Sequence, residues 1–149
     1  MSITFTPSRL DAETNTWEQL FTCDCFEKGS ELDKAREGAG ADDEVWNVPY
    51  PSCEICININ LNMATGNALD LLHWLGITID YSGEIKAAEL AAACRRRLWD
   101  EPRNHDEGIP PVTTDKYVYL GREADYLRRR TADLLRVAEE AGEHHVSWA

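Results

Sequence analysis

The chain has 149 residues, the length of one ordinary domain, and is 43% hydrophobic with five tryptophans, which excludes a wholly disordered polymer. Its 27 acidic and 15 basic residues leave a formal net charge of -12, a field that repels nucleic-acid phosphates and anionic membrane surfaces. The charge is regional, since residues 1–50 hold 11 acids against 4 bases.

Taken in chain order, residues 2–6 alternate polar and apolar and end at Pro7, as a short edge strand would. Residues 28–44 carry Gly29, Gly38 and Gly40 among many acids and few apolar side chains, and read as a flexible acidic loop with at most one helical turn near Leu32 to Arg36. After Pro49-Tyr50-Pro51, residues 53–62 alternate Ile55, Ile57, Ile59 and Leu61 with polar side chains, a strand pattern. A helix over 65–75 follows from Leu69, Leu72 and Leu75, with Gly76 as its stop.

A second helix is expected over 85–99, after Ser82-Gly83, with Leu90, Ala91, Cys94 and Leu98 along one side and Pro102 beyond its end. Its Arg95-Arg96-Arg97 run lies at the C-terminal end, where cations offset the helix dipole. Residues 101–115 read as a Pro- and Gly-rich loop and 117–120 as a short strand. A third helix over 123–141 aligns Leu127, Leu134, Val137, Ala138 and Ala141 and closes at Gly142, and residues 146–148 read as a last strand. The sum is an α+β fold: one small domain spanning 1–149, about three helices packed on a short, mainly antiparallel sheet.

Five cysteines is an odd number, and the start Met1-Ser2-Ile3-Thr4-Phe5 lacks the basic and apolar stretches of an export signal. The expectation is a cytoplasmic chain with reduced thiols or a metal site rather than disulfides. Cys23-Asp24-Cys25 and Cys53-Glu54-Ile55-Cys56 form two close pairs, and four thiolates can close a tetrahedral structural zinc site. Three features weigh against it: the first pair has a one-residue gap, neither pair has a Gly-containing knuckle turn, and Cys53 and Cys56 would face opposite ways on a regular strand unless the chain turns after Pro51. Ordinary half-buried thiols are the simpler alternative, and Cys94 reads as a small core residue.

Residues 78–89 match a calcium-loop pattern at Asp80, Ser82, Gly83, Ile85 and Glu89, but Thr78 occupies the first ligand position, and a turn opening a helix explains the same residues. His73, His105 and His144-His145 form no recognisable catalytic spacing. Asn58, Asn60 and Asn62 share one strand face, read as a solvated face with Asn62 capping the next helix. Arg122, Arg128, Arg129, Arg130 and Arg136 are interleaved with acids and point to ion pairing before anion binding.

Residues 58–148 resemble small uncharacterised bacterial and phage-borne proteins. The shared residues are the asparagine-bearing strand, Leu71-Leu72-His73-Trp74-Leu75-Gly76, Gly83-Glu84-Ile85 with Glu89-Leu90, Tyr126-Leu127 with Arg130, and Val146-Ser147-Trp148. The resemblance implies the α+β fold and carries no information about activity.

Three functional readings follow. The first is a non-enzymatic acidic interaction protein that binds a protein partner, with a basic, nucleic-acid-binding protein as the sharper version and inhibition as its effect. Direct nucleic-acid and membrane binding are not expected. The second is a zinc-stabilised binding module built on Cys23, Cys25, Cys53 and Cys56. The third is a small hydrolase or transferase assembled from distant Cys, His and carboxylate residues. Trp17 and Trp46, if exposed, would mark a contact surface.

Overall fold

A computed structural model describes residues 2–40, 43–53, 55–99, 108–113, 118–119 and 121–149. Its centre is one long strand, β1 (Ser2–Leu10), which pairs antiparallel along both edges. On one edge its first half meets β3 (Leu61–Ala64) and its last residues meet β2 (Trp17–Gln19). On the other edge lies β7 (His145–Trp148), followed outward by β4 (Gly83–Lys86).

The strand does not stop at Pro7, and the ladder shows why. Thr4 N–H donates to Ala149 O, so by alternation Thr6 and Ser8 also face β7, while Pro7 faces the opposite edge. On that edge β3 ends at Phe5 and β2 begins at Ser8. The missing N–H of Pro7 thus falls in the gap between two partners, where no ladder bond is lost.

Three helices, α2 (Thr65–Leu75), α3 (Ala87–Trp99) and α4 (Tyr126–Ala141), cover one face of the sheet. Ile3, Phe5, Val146 and Trp148 meet them from the strands. Along α4 the buried positions Leu127, Thr131, Leu134, Val137, Ala138 and Ala141 repeat at helical spacing, and the Thr131 hydroxyl donates to Leu127 O instead of being stranded in the core. Gly76, at φ 71°, ends α2 in the left-handed conformation that favours glycine. The α+β architecture is as expected from sequence.

Several local expectations fail for identifiable reasons. Residues 28–37, expected as the start of the acidic loop, belong to helix α1 (Cys25–Glu37). This helix has no apolar stripe; good helix formers and the Asp24–Lys28 ion pair at 2.6 Å support it locally. Of the remaining expected loop residues, 38–40 and 43–44 are not α-helical, and 41–42 lie outside the described residues.

Of the predicted 53–62 strand only Leu61 and Asn62 are extended, as the start of β3, while residue 54 lies outside the described residues and Ile55–Ile59 makes a single π-helical turn, entered through an α-type bond from Ile57 N–H to Cys53 O. Ile57 is 60% exposed, so the isoleucine alternation did not signal burial. Asn62 does not cap α2; its amide donates across to Thr4 Oγ1 at 2.7 Å.

β2 and β4 were not predicted, and the helix expected over 85–99 begins two residues later. Val118–Tyr119 (β6) pairs with Val112–Thr113 (β5). The rest of that predicted strand, His105 and Pro102 lie outside the described residues. Among the described residues no helix is long and apolar enough to cross a membrane.

Candidate metal centre

The hydrophobic core holds no described residue between Phe5 and Leu61. Of the described side chains of α1, none larger than Gly29 is buried, and the helix packs against the single turn at Glu44–Asn47. The lobe is closed on itself by Arg36, whose guanidinium lies 4.7 Å from the Tyr50 ring centre and 5.6 Å from that of Trp46 while donating to Val48 O. Tyr50 OH donates to Asp33, and the Trp46 indole N–H donates to Gly40 O. These contacts fold the lobe but do not fix it to the sheet.

The fixing point is where the two cysteine pairs meet. Cys23 lies just before α1 and Cys25 is its first residue, while Cys53 and Cys56 flank the start of the π turn. That turn answers the objection from strand geometry, because Cys53 and Cys56 no longer alternate across a pleat. The four Sγ atoms lie within 4.8 Å of one another. Cys23 and Cys56 approach to 3.2 Å and Cys53 and Cys56 to 3.9 Å, and none of the four is in a disulfide.

A tetrahedron of sulfurs at the usual Zn–S length of about 2.3 Å has S···S edges of about 3.8 Å. The observed spacings bracket that edge, so small side-chain shifts would suffice to close the shell. Cys23 is exposed and the other three are half-buried.

Without a cation the cluster holds its protons. Desolvation, reinforced by hydrogen bonding to the Cys53, Cys56 and Cys23 thiols, pushes the Cys25 thiol up to about 12. Cys56 is raised as well, first by desolvation and then by its hydrogen bond with Cys23. A divalent cation reverses this preference by replacing the protons.

The other sequence candidates are placed differently. Cys94 is buried between helices, where desolvation pushes its thiol up to about 12. No described histidine joins the thiols; His73 is exposed, and His145 stands against the Trp17 ring at 4.7 Å. The arginines are engaged with carboxylates: Arg122 with Asp70, Arg129 with Glu123, and Arg130 with Asp133, each within 2.9 Å. Asp80 spends its backbone oxygen on the Trp148 indole and its Oδ1 on Tyr81 N–H. Trp46 is 49% exposed beside Val48 and Tyr50, which are exposed as well, a surface residue pattern that sequence reasoning reached only in part.

No protein-family model, curated protein or solved structure matches this chain.

Proposed function

We propose that this chain is a zinc-stabilised binding module, in which Cys23, Cys25, Cys53 and Cys56 form a closed structural site and the lobe it secures meets a protein partner. The observation carrying this reading is the convergence of four Sγ atoms, from two segments far apart in sequence, within 4.8 Å. Four thiolates leave no open coordination position, which fits a structural ion and not a catalytic one. The absence of described core residues between Phe5 and Leu61 supports the need for such a cross-link, since little buried apolar surface holds this stretch in place.

Residues 25–50 hold seven acids against three bases, and Trp46, Val48 and Tyr50 lie exposed among them. Exposed aromatic side chains in an acidic stretch of chain fit a basic protein surface, where the charges steer encounter and the rings supply buried area. Native mass spectrometry of the purified chain tests the metal. One zinc per chain, absent after Cys53 and Cys56 are both changed to Ser, agrees with the proposal; a folded chain without metal would falsify it. Pull-down at low and high salt tests the partner, with capture of a basic protein that salt abolishes as the expected result.

A further inference from the structure

The face of the sheet opposite the helices is polar, and it is not flat. Thr6 on β1 stands directly across from Ser147 on β7, with Thr4 two residues along, and Asn62 bridges to Thr4 from β3. Over this face a groove of about 640 Å³ runs from Ser82 and Glu84 to the segment carrying Cys23 and Cys56. That volume falls in the range of roughly 300–1,000 Å³ usual for small-molecule sites.

Thr4, Thr6, Ser82 and Ser147 line the groove, with Thr6 almost wholly buried and Ser147 Oγ paired with Ser8 Oγ at 2.5 Å, and Gln19 and Asn60 add carboxamides. Each of these groups can both donate and accept hydrogen bonds. Trp17 forms part of the wall, half-buried, with its ring braced against the His145 imidazole at 57°. Among the described lining residues Glu84 is the one acid and none is a Lys or Arg. A phosphate or carboxylate would find no counter-charge there and would face the field of a chain of net charge -12.

We infer that this groove binds a neutral saccharide. A sugar ring presents hydroxyls that donate and accept around its rim, matching the hydroxyl and carboxamide floor, and an apolar C–H face that fits the flank of an indole. A nucleoside shares the ring hydroxyls, but most of its surface is a planar base, which four hydroxyls spread over a sheet face suit less well. The inference depends on the zinc reading only in that Cys23 and Cys56 form one wall, so metal content is measured on the same sample and the two readings can fail separately.

The test is ligand-observed saturation-transfer NMR on the full chain as purified, with cellobiose, maltose and diacetylchitobiose, and with glucose 6-phosphate and adenosine as contrasts. At least one neutral disaccharide is expected to bind at millimolar concentration or below, at least tenfold more tightly than glucose 6-phosphate. Trp17→Ala is expected to weaken that binding at least tenfold. Glu84→Lys changes an exposed side chain, and is expected to raise glucose 6-phosphate binding severalfold without loss of fold. No transfer to any of the three disaccharides, a preference for adenosine, or full affinity in a folded Trp17→Ala variant would overturn the inference.

Discussion

Gly83→Ala is expected to destabilise the fold through a single collision. An added Cβ at Gly83 would lie 2.5 Å from Trp148 Cζ2 and 3.0 Å from two further ring atoms. The ring cannot swing away cheaply, because Trp148 is 5% exposed, packs on Phe5 with ring centres 6.0 Å apart, and donates its indole N–H to Asp80 O at 3.1 Å. Gly83 and Trp148 are also register partners across β4 and β7, so backbone separation would strain the ladder. Overpacking of this kind costs about 1–3 kcal/mol, or a fall of about 2–12 °C in Tm for a chain this size. Urea denaturation followed by tryptophan fluorescence measures it. In a Trp148→Phe background the same alanine should cost about 1 kcal/mol less, since the smaller ring leaves room. A Gly83→Ala protein within 0.3 kcal/mol of the parent, a bound of about the size of ordinary surface effects, would refute the packing argument.

Leu134→Ala, at a position with no exposure in the middle of α4, should cost about 2–5 kcal/mol in the same denaturation assay. Cys94 should resist alkylation in the native protein while the exposed Cys23 of the metal-free chain reacts, as peptide mapping after brief labelling would reveal. Its thiol ionises near 9 when unfolded and near 12 when folded, so stability should be level below pH 9 and decline as pH rises toward 12. Cys94→Ala should flatten part of that decline. Zinc binding should release protons and weaken as pH falls, because the ligands must be thiolates; dialysis at stepwise lower pH with metal analysis would follow the loss.

The helices that pack on the sheet were readable because burial imposes a period: Leu69, Leu72 and Leu75 in α2, and the Leu127 to Ala141 stripe in α4. Helix α1 was not, because its stability comes from local ion pairing and from Arg36 lying against Tyr50 and Trp46, contacts that leave no apolar stripe. Strands β2 and β4, of three and four residues, are too short to show an alternation and exist through their partners. The isoleucines at 55, 57 and 59 imitated a strand while the backbone makes a π turn. That same turn brings Cys53 and Cys56 onto the pair at 23 and 25, so the cysteine spacing identified the cluster while the apparent strand argued against it. The polar groove was invisible in sequence, since its residues come from five separate segments joined by strand register and by the cysteine cluster.

Zinc-edge X-ray absorption on the purified chain tests the central claim most directly. One zinc with four sulfur neighbours at about 2.3 Å and no nitrogen or oxygen neighbour at about 2.0 Å is the expected result. Zinc bound by nitrogen or oxygen, or a folded chain carrying no metal, would contradict it.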